Sequence, residues 1–325
     1  MKYLVTGGAG FIGSHLVDRL LLEGHDVVVL DDFSTGRRSN LSQHEQNSRL
    51  KIVTGSIMDE SIVKNLIQDC DRVLHFAAAV GVFNIMEKPL ESLDTNVHGT
   101  RNVLQACLQF NKPVMIASSS EVYGKNTSDL LSEDSDRIIG APQKVRWSYS
   151  DAKALDEAMA ISLHQKHGLE TRIVRLFNTV GPRQVGRYGM VVPRFVEAAL
   201  TGSSLTVYGS GKQTRCFGHV SDITAAILMI DNNHEAIGIP VNVGVSQEIS
   251  IMNLAKTIID QTNSSSSIEL LDYQSAYPTG YEDMERRVPD NSLLKRLTGW
   301  KSENSIHNII EDISGYLRET SILPD

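Results

Sequence analysis

The feature that most constrains the fold is a glycine-rich turn close to the N-terminus. Gly7, Gly10 and Gly13 follow a short apolar run, Tyr3–Val5, and open an amphipathic segment that begins at Ile12. Glycine is needed where a turn is tight, where backbone approaches a pyrophosphate and where a helix packs closely on a strand. The first turn of the following helix offers N–H groups and a favourable dipole to phosphate. The order of strand, turn and helix therefore predicts a βαβ unit that binds a dinucleotide.

An acidic residue at the end of the second predicted strand indicates which dinucleotide is bound. Asp31 follows Gly13 by about 18 residues, close to the spacing of dinucleotide-binding βαβ units. A carboxylate at this place binds the hydroxyls of the adenosine ribose and repels a 2′-phosphate. We therefore predict NAD rather than NADP as the cofactor.

Strands and helices alternate through the first two-thirds of the chain. Helical patterns separate the apolar strand runs, and this alternation is typical of a parallel sheet covered on both faces. The predicted fold class is α/β, a Rossmann-type doubly wound parallel sheet with a smaller C-terminal substrate-binding lobe. The predicted strands are Tyr3–Val5, Asp26–Leu30, Leu50–Val53, Arg72–Phe76, Val114–Ser118 and Thr171–Leu176, and the helices are Ile12–Glu23, Ile62–Gln68, Pro89–Phe110 and Ser150–His167.

The regular alternation ends near Asn178, where the domain boundary is expected. A helix is predicted at Pro193–Thr201, a short strand at Leu205–Tyr208, and a strand leading into a helix within Phe217–Ile230. We predict that residues 1–177 and about 209–238 form the NAD-binding domain. Residues from about 178–208 and 239–325 then form the nucleotide-sugar-binding lobe.

Composition excludes several classes of function. Hydrophobic residues make up 41% and charged residues 22% of 325 residues, close to the averages of soluble proteins, so a sizeable core is expected. The net charge of −8 argues against a nucleic-acid-binding protein. No apolar run approaches the roughly 20 residues that span a bilayer. Three widely spaced cysteines fit buried, reduced thiols, so a soluble cytoplasmic protein without a membrane partner is predicted.

A tyrosine and a lysine form a candidate acid–base pair. Tyr149 and Lys153 are four residues apart and share one face of the predicted helix. The lysine ammonium stabilises a phenolate and lowers the tyrosine pKa from its ordinary value of about 10. The serine run 118–120 follows the fifth predicted strand, at the sheet edge where ligands of such folds gather. A serine hydroxyl there can stabilise charge that develops on a substrate oxygen.

With these features, the sequence resembles the extended short-chain dehydrogenase/reductase family of NAD-dependent nucleotide-sugar epimerases, dehydratases and decarboxylases. The resemblance covers nearly the whole chain, and the G-x-x-G-x-x-G spacing is a variant that short-chain dehydrogenases carry. Its motifs are GGAGFIG (7–13), HFAA (75–78), SSSEVYG (118–124), Tyr149-x-x-x-Lys153, RLFNTVGPR (175–183) and VYGSGKQTRCF (207–217).

The resemblance implies a role for each site residue. Tyr149 is the expected base, Lys153 its partner and Ser119 the hydroxyl donor. A nucleotide sugar, with UDP favoured, is expected to contact Ser119, Ser120, Glu121, Tyr149, Asn178, Arg187, Arg215 and Arg287. The expected contacts of NAD are Gly7, Gly10, Phe11, Ile12, Gly13, Asp31, Asp32, Phe33, Thr35, Gly36, Ser56, Ile57, Ala77, Ala78, Asn96, Ser118, Tyr149 and Lys153.

Glu121 is the residue that discriminates between the family's reactions. Epimerases of the family commonly carry a neutral residue there, whereas SEVYG is similar to the motif of UDP-glucuronate decarboxylases. Residues 133–150 and 280–290 also resemble the decarboxylase domain of the bifunctional enzyme of aminoarabinose synthesis, which gives Arg287 a catalytic position. Glu121 is expected to act in positioning or proton transfer. Arg287 is expected either to stabilise charge or to bind the diphosphate.

The resemblance leaves the reaction open between three chemistries. We favour UDP-glucuronate decarboxylation to a UDP-pentose, since a C4 ketone makes the C6 carboxylate a β-keto acid. The alternative is 4-epimerisation of a UDP-hexose or UDP-hexuronate, and 4,6-dehydration comes third. Ser119 departs from the threonine usual in the decarboxylases and also matches epimerases. Ser56 replaces an acidic residue often found near the adenine.

A different class, a non-catalytic NAD-binding sensor, is disfavoured because Tyr149, Lys153 and Ser119 are all present. No metal is predicted, since His164 and His167 stand on a predicted helix without accompanying carboxylate ligands. A homodimer is expected through the helices at 89–110 and 150–167, because family members pair in this way. The apolar positions that could take part include Val97, Leu104, Leu155 and Met159.

Overall fold

A computed structural model describes residues 1–81, 86–186, 190–272, 284 and 286–320. The described strands are β1 (Lys2–Thr6), β2 (Asp26–Asp31), β3 (Leu50–Thr54), β4 (Arg72–His75), β5 (Val114–Ser119), β6 (Thr171–Leu176), β7 (Thr179–Val180), β8 (Leu205–Tyr208), β9 (Thr214–Cys216), β10 (Gly218–His219), β11 (Pro240–Val243), β12 (Glu248–Ser250) and β13 (Ile268–Leu271). Seven of them form a parallel central sheet in the order β11-β6-β5-β4-β1-β2-β3, which confirms the predicted doubly wound fold.

The helices lie close to their predicted positions. The predicted helix over 89–110 consists of two α-helices joined by a π-helical turn, Asp94–Gly99. Short 3₁₀ turns occur at Ser120–Tyr123 and Val145–Trp147, beside the carboxyl end of β5 and before the long helix that carries Tyr149. The described α-helices are α1 (Phe11–Leu22), α2 (Glu60–Gln68), α3 (Pro89–Leu93), α4 (Thr100–Phe110), α5 (Ser148–His167), α6 (Val191–Leu200), α7 (Val220–Asp231), α8 (Ile251–Thr262), α9 (Ser292–Thr298) and α10 (Ile306–Glu319).

The sheet is apolar along its strands because both of its faces are buried. In β1, Tyr3 and Val5 enter one hydrophobic core and Leu4 enters the other, as the period of two in a strand requires. Helices α1, α7 and α9 cover the first face, and α2, α4 and α5 cover the second. The register places Thr6 beside Leu30 on β2 and His75 on β4, so the ends of β1, β2 and β4 meet at one edge.

A third hydrophobic core lies outside the sheet. It is formed by α6, α8 and α10 with β8, and β8 pairs with β13 in a separate two-stranded sheet. The predicted division into a cofactor domain and a substrate lobe stays a prediction, but one boundary needs correction. Strand β11, at Pro240–Val243, pairs with β6 in the central sheet, and Leu294 of α9 packs into the core of that sheet. Residues 240–243 and α9 therefore pack with the sheet, although both lie in the segment predicted to form the lobe.

Among the described residues, no helix is both long enough and apolar enough to cross a membrane. No group of three or more histidine, cysteine, aspartate or glutamate side chains there could hold a metal ion. Cys70, Cys107 and Cys216 are buried free thiols.

Candidate active site

A cleft of about 820 Å³ opens at the carboxyl ends of the parallel strands. Ligands of open α/β sheets bind at this edge, where the chain reverses its winding direction. One end of the cleft is lined by the glycine-rich turn after β1 and by Asp31 at the end of β2. The other end is lined by side chains that follow β5 and β6 and by residues of α6 and β9.

The glycine-rich turn has the shape that a pyrophosphate needs. Gly7 has φ +70°, a left-handed conformation that glycine adopts without strain. A Cβ on Gly13 would lie 2.1 Å from the Gly7 carbonyl oxygen, so only glycine permits this close approach of α1 to the turn. No side chain caps α1 at Gly10, which leaves backbone N–H groups of its first turn to face the cleft. This turn fits the pyrophosphate of a dinucleotide.

Asp31 is held rigidly at the edge of the cleft. Its carboxylate accepts the backbone N–H groups of Ala9, at 2.9 Å, and Phe33, at 2.8 Å. Burial raises the pKa of Asp31, although both N–H donors act in the opposite direction. A Cβ on Gly36 would lie 2.8 Å from the same carboxylate. The second strand thus ends in an oriented carboxylate that fits the hydroxyls of a ribose.

Most of the predicted NAD contacts line the cleft, but three do not. Phe33 and Gly36 stand beside Asp31 and shape its surroundings. Asn96 lies behind the wall, where its amide both donates to and accepts from the backbone of Ala79. The predicted contacts that line the cleft are Gly7, Gly10, Phe11, Ile12, Gly13, Asp31, Asp32, Thr35, Ser56, Ile57, Ala77, Ala78, Ser118, Tyr149 and Lys153.

Tyr149, Lys153 and Ser119 meet in the middle of the cleft. Tyr149 and Lys153 lie on α5, and Ser119 ends β5, so the two elements converge on one point. Burial raises the pKa of Tyr149, while the Lys153 ammonium and a hydrogen bond from Ser119 lower it. The predicted acid–base pair and its hydroxyl partner are therefore brought together by the fold.

Glu121 lies between two arginines. Its carboxylate is 2.7 Å from Nη1 of Arg146 and 2.9 Å from Nη2 of Arg287, and Arg287 also donates to the Ser120 hydroxyl at 3.1 Å. Burial favours a raised pKa for Glu121, but Arg287 and Arg146 together overcome it and hold the pKa well below its ordinary value. Glu121 therefore stays ionised throughout the neutral pH range.

Arg146 is a site residue that the sequence reasoning did not select. It lines the cleft, is almost fully buried and stands three residues before Tyr149. The one sequence feature that could have indicated its role is its position in the RWSYS stretch, close to Tyr149. An arginine before a helix is usually solvated, however, and nothing in the local pattern separates a buried arginine from an exposed one.

The remaining predicted substrate contacts lie toward the second end of the cleft. Asn178 and Arg215 both line it; the Asn178 amide donates to the Cys216 carbonyl, and Arg215 donates to the Thr214 carbonyl. Arg187 lies outside the described residues. The sequence did not single out four further lining residues in this part of the chain, Gln184, Arg194, Tyr208 and Gln213.

A dinucleotide turn, a Tyr–Lys–Ser set and a cationic end in one cleft define the class of extended short-chain dehydrogenases/reductases. Within that class, the chain belongs to the family described as GDP-mannose 4,6 dehydratase, which matches residues 4–313. The predicted resemblance is therefore confirmed.

Three individual proteins that are similar to this chain are decarboxylases or an epimerase of UDP-sugars. The chain is 42% identical to a UDP-N-acetyl-alpha-D-glucosaminuronate decarboxylase of Bacillus cytotoxicus over 98% of both chains. It is 36% identical to a UDP-glucuronic acid decarboxylase 1 of Xenopus tropicalis over 92% of this chain and 68% of that one. The UDP-glucuronic acid 4-epimerase of Bacillus cereus, solved with UDP-glucuronic acid and NAD, superimposes with TM-score 0.88 at 27% identity, covering 98% of this chain and all of that one. The protein is an NAD-dependent enzyme that acts on a nucleotide sugar.

Proposed function

We propose that the protein decarboxylates a UDP-linked hexuronate to the corresponding UDP-linked pentose through a 4-keto intermediate. The observation that carries this proposal is the Glu121 carboxylate held between Arg146 and Arg287, in the same cleft as Tyr149. UDP-glucuronate is the predicted substrate. The name of the 42% identical relative suggests a second candidate substrate, a UDP-hexuronate that carries an N-acetyl group at C2.

Bound NAD⁺ supplies a hydride acceptor in the first half of the reaction and a hydride donor in the second. The glycine-rich turn would hold its pyrophosphate, Asp31 its adenosine ribose, and Lys153 its nicotinamide ribose. Tyr149 takes the proton of the sugar C4 hydroxyl as the C4 hydride leaves. Burial raises the pKa of Tyr149, and the Lys153 ammonium opposes that rise by stabilising the phenolate, the form in which Tyr149 acts as a base.

The ketone at C4 then makes loss of carbon dioxide possible. The C5–C6 bond breaks, carbon dioxide leaves, and the electron pair of that bond moves into an enolate whose negative charge lies on the C4 oxygen. Ser119 donates a hydrogen bond to that oxygen. A proton from water then adds to C5, hydride returns to C4, and Tyr149 gives its proton back to the C4 oxygen.

The two arginines supply positive charge for a substrate that carries both a carboxylate and a diphosphate. Arg287 donates to Ser120, next to Ser119, so its guanidinium is fixed close to the hydroxyl that meets the C4 oxygen. Glu121 holds Arg287 and Arg146 in place and stays ionised, which favours the positioning role over proton transfer. Arg287 is then placed to stabilise the negative charge of the enolate.

Product mass distinguishes the three reactions that share the first step. We expect incubation with NAD⁺ and either UDP-glucuronate or UDP-N-acetylglucosaminuronate to give a nucleotide sugar that has lost carbon dioxide, detected by mass spectrometry. A product of unchanged mass would support 4-epimerisation, which the fold of the 4-epimerase relative also accommodates. Loss of water would indicate dehydration. Bound NAD⁺ without turnover of either sugar would support the sensor.

A homodimer and a cytoplasmic location belong to the same proposal. Leu155 on α5 is 48% exposed and Leu90 on α3 is 75% exposed, so the paired helices offer apolar surface to a second copy. Leu104 was wrongly included among the interface positions, since it is fully buried in the sheet core, and Met159 packs against the same core. Light scattering of the purified protein is expected to give the mass of a dimer, and light scattering of Leu155→Glu the mass of a monomer.

The proposed cytoplasmic location is supported by the buried free thiols, because a reducing compartment keeps cysteines in this state.

A further inference from the structure

A second carboxylate lies beneath the acid–base pair. Asp156 is on α5, three residues after Lys153, and its Oδ2 is 3.2 Å from the Lys153 Nζ. The side chains of both residues are at least 97% buried. A buried ammonium is costly unless a counter-charge is fixed beside it. This pair therefore bears on the ionisation of the lysine that assists Tyr149.

A chain of buried polar side chains runs up to Asp156. Burial raises the pKa of Asp156, whereas the Lys153 ammonium and the Thr100 hydroxyl, at the start of α4, lower it. Thr100 in turn lies 3.0 Å from Nε2 of His75, and Nδ1 of His75 lies 2.7 Å from the Thr6 hydroxyl. The backbone N–H of Ala77 donates to Thr6 at 3.3 Å. All of these side chains are buried.

The donors and acceptors of this chain run in one direction. A Thr100 hydroxyl that turns its hydrogen toward the Asp156 carboxylate accepts from Nε2–H of His75. Nδ1 then accepts from the Thr6 hydroxyl. Burial lowers the pKa of His75 to about 3, and the nearby Lys153 ammonium acts in the same direction, so the ring stays neutral. A neutral imidazole in a fixed tautomer links the cofactor wall at Ala77 to Asp156.

We propose that Asp156 is a positioning residue, the dedicated counter-ion that keeps the buried Lys153 ammonium charged. Without that charge, Lys153 no longer stabilises the Tyr149 phenolate. The inference rests on the roles of Tyr149 and Lys153 proposed above and is independent of which sugar is the substrate. Asp156 is not among the residues that line the cleft, so in this proposal it acts through Lys153.

Other charged groups around Lys153 do not replace Asp156. Glu157 is the neighbouring carboxylate on α5, but Arg175 from β6 neutralises it at 2.8 Å. Glu121, from the turn after β5, is bound to the two arginines. The groups facing Lys153 and Tyr149 from the elements packed around them are Tyr149, Asp156 and Glu157 of α5, His75 of β4, Thr100 of α4, Arg175 of β6, Ser119 of β5 and Glu121 of the following turn.

The test measures the ionisation of Lys153 directly in the NAD-loaded protein. Lysine labelled with ¹³C at Cε reports the charge of each ammonium by NMR, and loss of one signal in Lys153→Met assigns Lys153. In Asp156→Asn we expect the Lys153 titration midpoint to fall by about 1 pH unit or more. Asp156→Glu is expected to restore the midpoint. Loss of kcat at alkaline pH should accompany the shift in Asp156→Asn.

Matched variants separate this role from simple support of the fold. Asp231→Asn removes an equally buried carboxylate paired with Arg72, and we expect it to leave the Lys153 midpoint unchanged. Asp156→Ser repeats the test with a smaller side chain if the asparagine variant does not fold. An unchanged Lys153 midpoint in a folded Asp156 variant would overturn the proposal. Absence of turnover on both UDP-sugars would contradict only the proposed reaction.

Discussion

The two ends of the cleft are built in different ways. The cofactor end, residues 7–13 and 31–36, depends on backbone: glycines that permit close approach and N–H groups that orient one carboxylate. The substrate end, Glu121 with Arg146 and Arg287, depends on charged side chains from three separated segments. The first kind of site fits the cofactor that the family shares, and in the proposed function the second kind sets which reaction follows. Substitutions at the two ends should therefore impair different properties of the protein.

The largest effect is expected between the two ends, at Tyr149. Tyr149→Phe removes the base but keeps the ring, so turnover should fall by about 10⁴-fold while NAD⁺ affinity is retained. Steady-state rates and calorimetric NAD⁺ titration measure the two effects. Tyr123→Phe removes a buried hydroxyl that bonds Asn242 outside the cleft, and its rate is expected to stay within a few-fold of wild type. Equal loss in both variants would contradict the assignment of the base.

The next largest effect is expected at the substrate end. Glu121→Gln leaves two buried guanidinium groups without the carboxylate between them, so the free energy of unfolding should fall by about 4 kcal/mol. Urea denaturation measures this loss, and carbon dioxide release should fall with it. Glu248→Gln breaks the exposed pair with Arg286, and is expected to cost less than about 1 kcal/mol. Similar costs at both sites would mean that Glu121 is not a structural centre of the substrate end.

At the cofactor end, a substitution is expected to act through a steric clash. Gly13→Ala places a Cβ 2.1 Å from the Gly7 carbonyl oxygen, which should cost about 3 kcal/mol of folding or NAD⁺ binding. Thermal unfolding with and without NAD⁺ measures the cost. Gly315→Ala adds a Cβ to α10, where no atom lies within 4 Å, and should be neutral or slightly stabilising. If Gly13→Ala binds NAD⁺ as well as wild type, the turn does not work by close approach.

The smallest predicted effect is a pH dependence that comes from His75. Its pKa is lowered to about 3 in the folded protein, because burial disfavours the charged ring, and is about 6.5 when unfolded. The unfolded chain therefore takes up the proton first, so this stability is complete above pH 6.5 and is lost as the pH falls toward 3. Between pH 6.5 and 5 the loss is about 2 kcal/mol.

Urea denaturation at the two pH values tests this prediction. His75→Gln should lose about 2 kcal/mol less than wild type over the interval, whereas His98→Gln, at an exposed position, should follow wild type. Glu121 acts over a lower range, since its folded pKa is depressed and its stabilisation is lost only below about pH 4.5. An identical slope in His75→Gln would show that the ring is not held neutral.

The cofactor end could be predicted from sequence because its determinants are local. Gly7, Gly10 and Gly13 fall within one turn, and Asp31 ends the next strand, so spacing alone places them together. The substrate end brings together residues far apart in sequence, and only the family resemblance placed Arg287 near Glu121. Arg146 and Asp156 were missed because their burial depends on packing of α5 against β5 and α4. No local pattern reports such packing.

The central sheet also contains a part that local sequence patterns do not predict. Strands β1, β2, β4, β5 and β6 follow from short apolar runs that are largely buried, whereas the edge strand β3 is only partly buried. Strand β11 is only four residues long, and it completes the sheet through register with β6 rather than through any strong pattern of its own. A contact between distant segments therefore placed the last strand, as it placed Arg146 beside Glu121.

In the proposed function, the charged end of the cleft makes this family member a decarboxylase. NMR of UDP-glucuronate and UDP-N-acetylglucosaminuronate labelled with ¹³C at C6, in the presence of NAD⁺, tests this role most directly. We expect the label of at least one substrate to leave as carbon dioxide while a UDP-linked pentose without the label accumulates. Label retained on a sugar whose C4 configuration is inverted would contradict it and identify an epimerase.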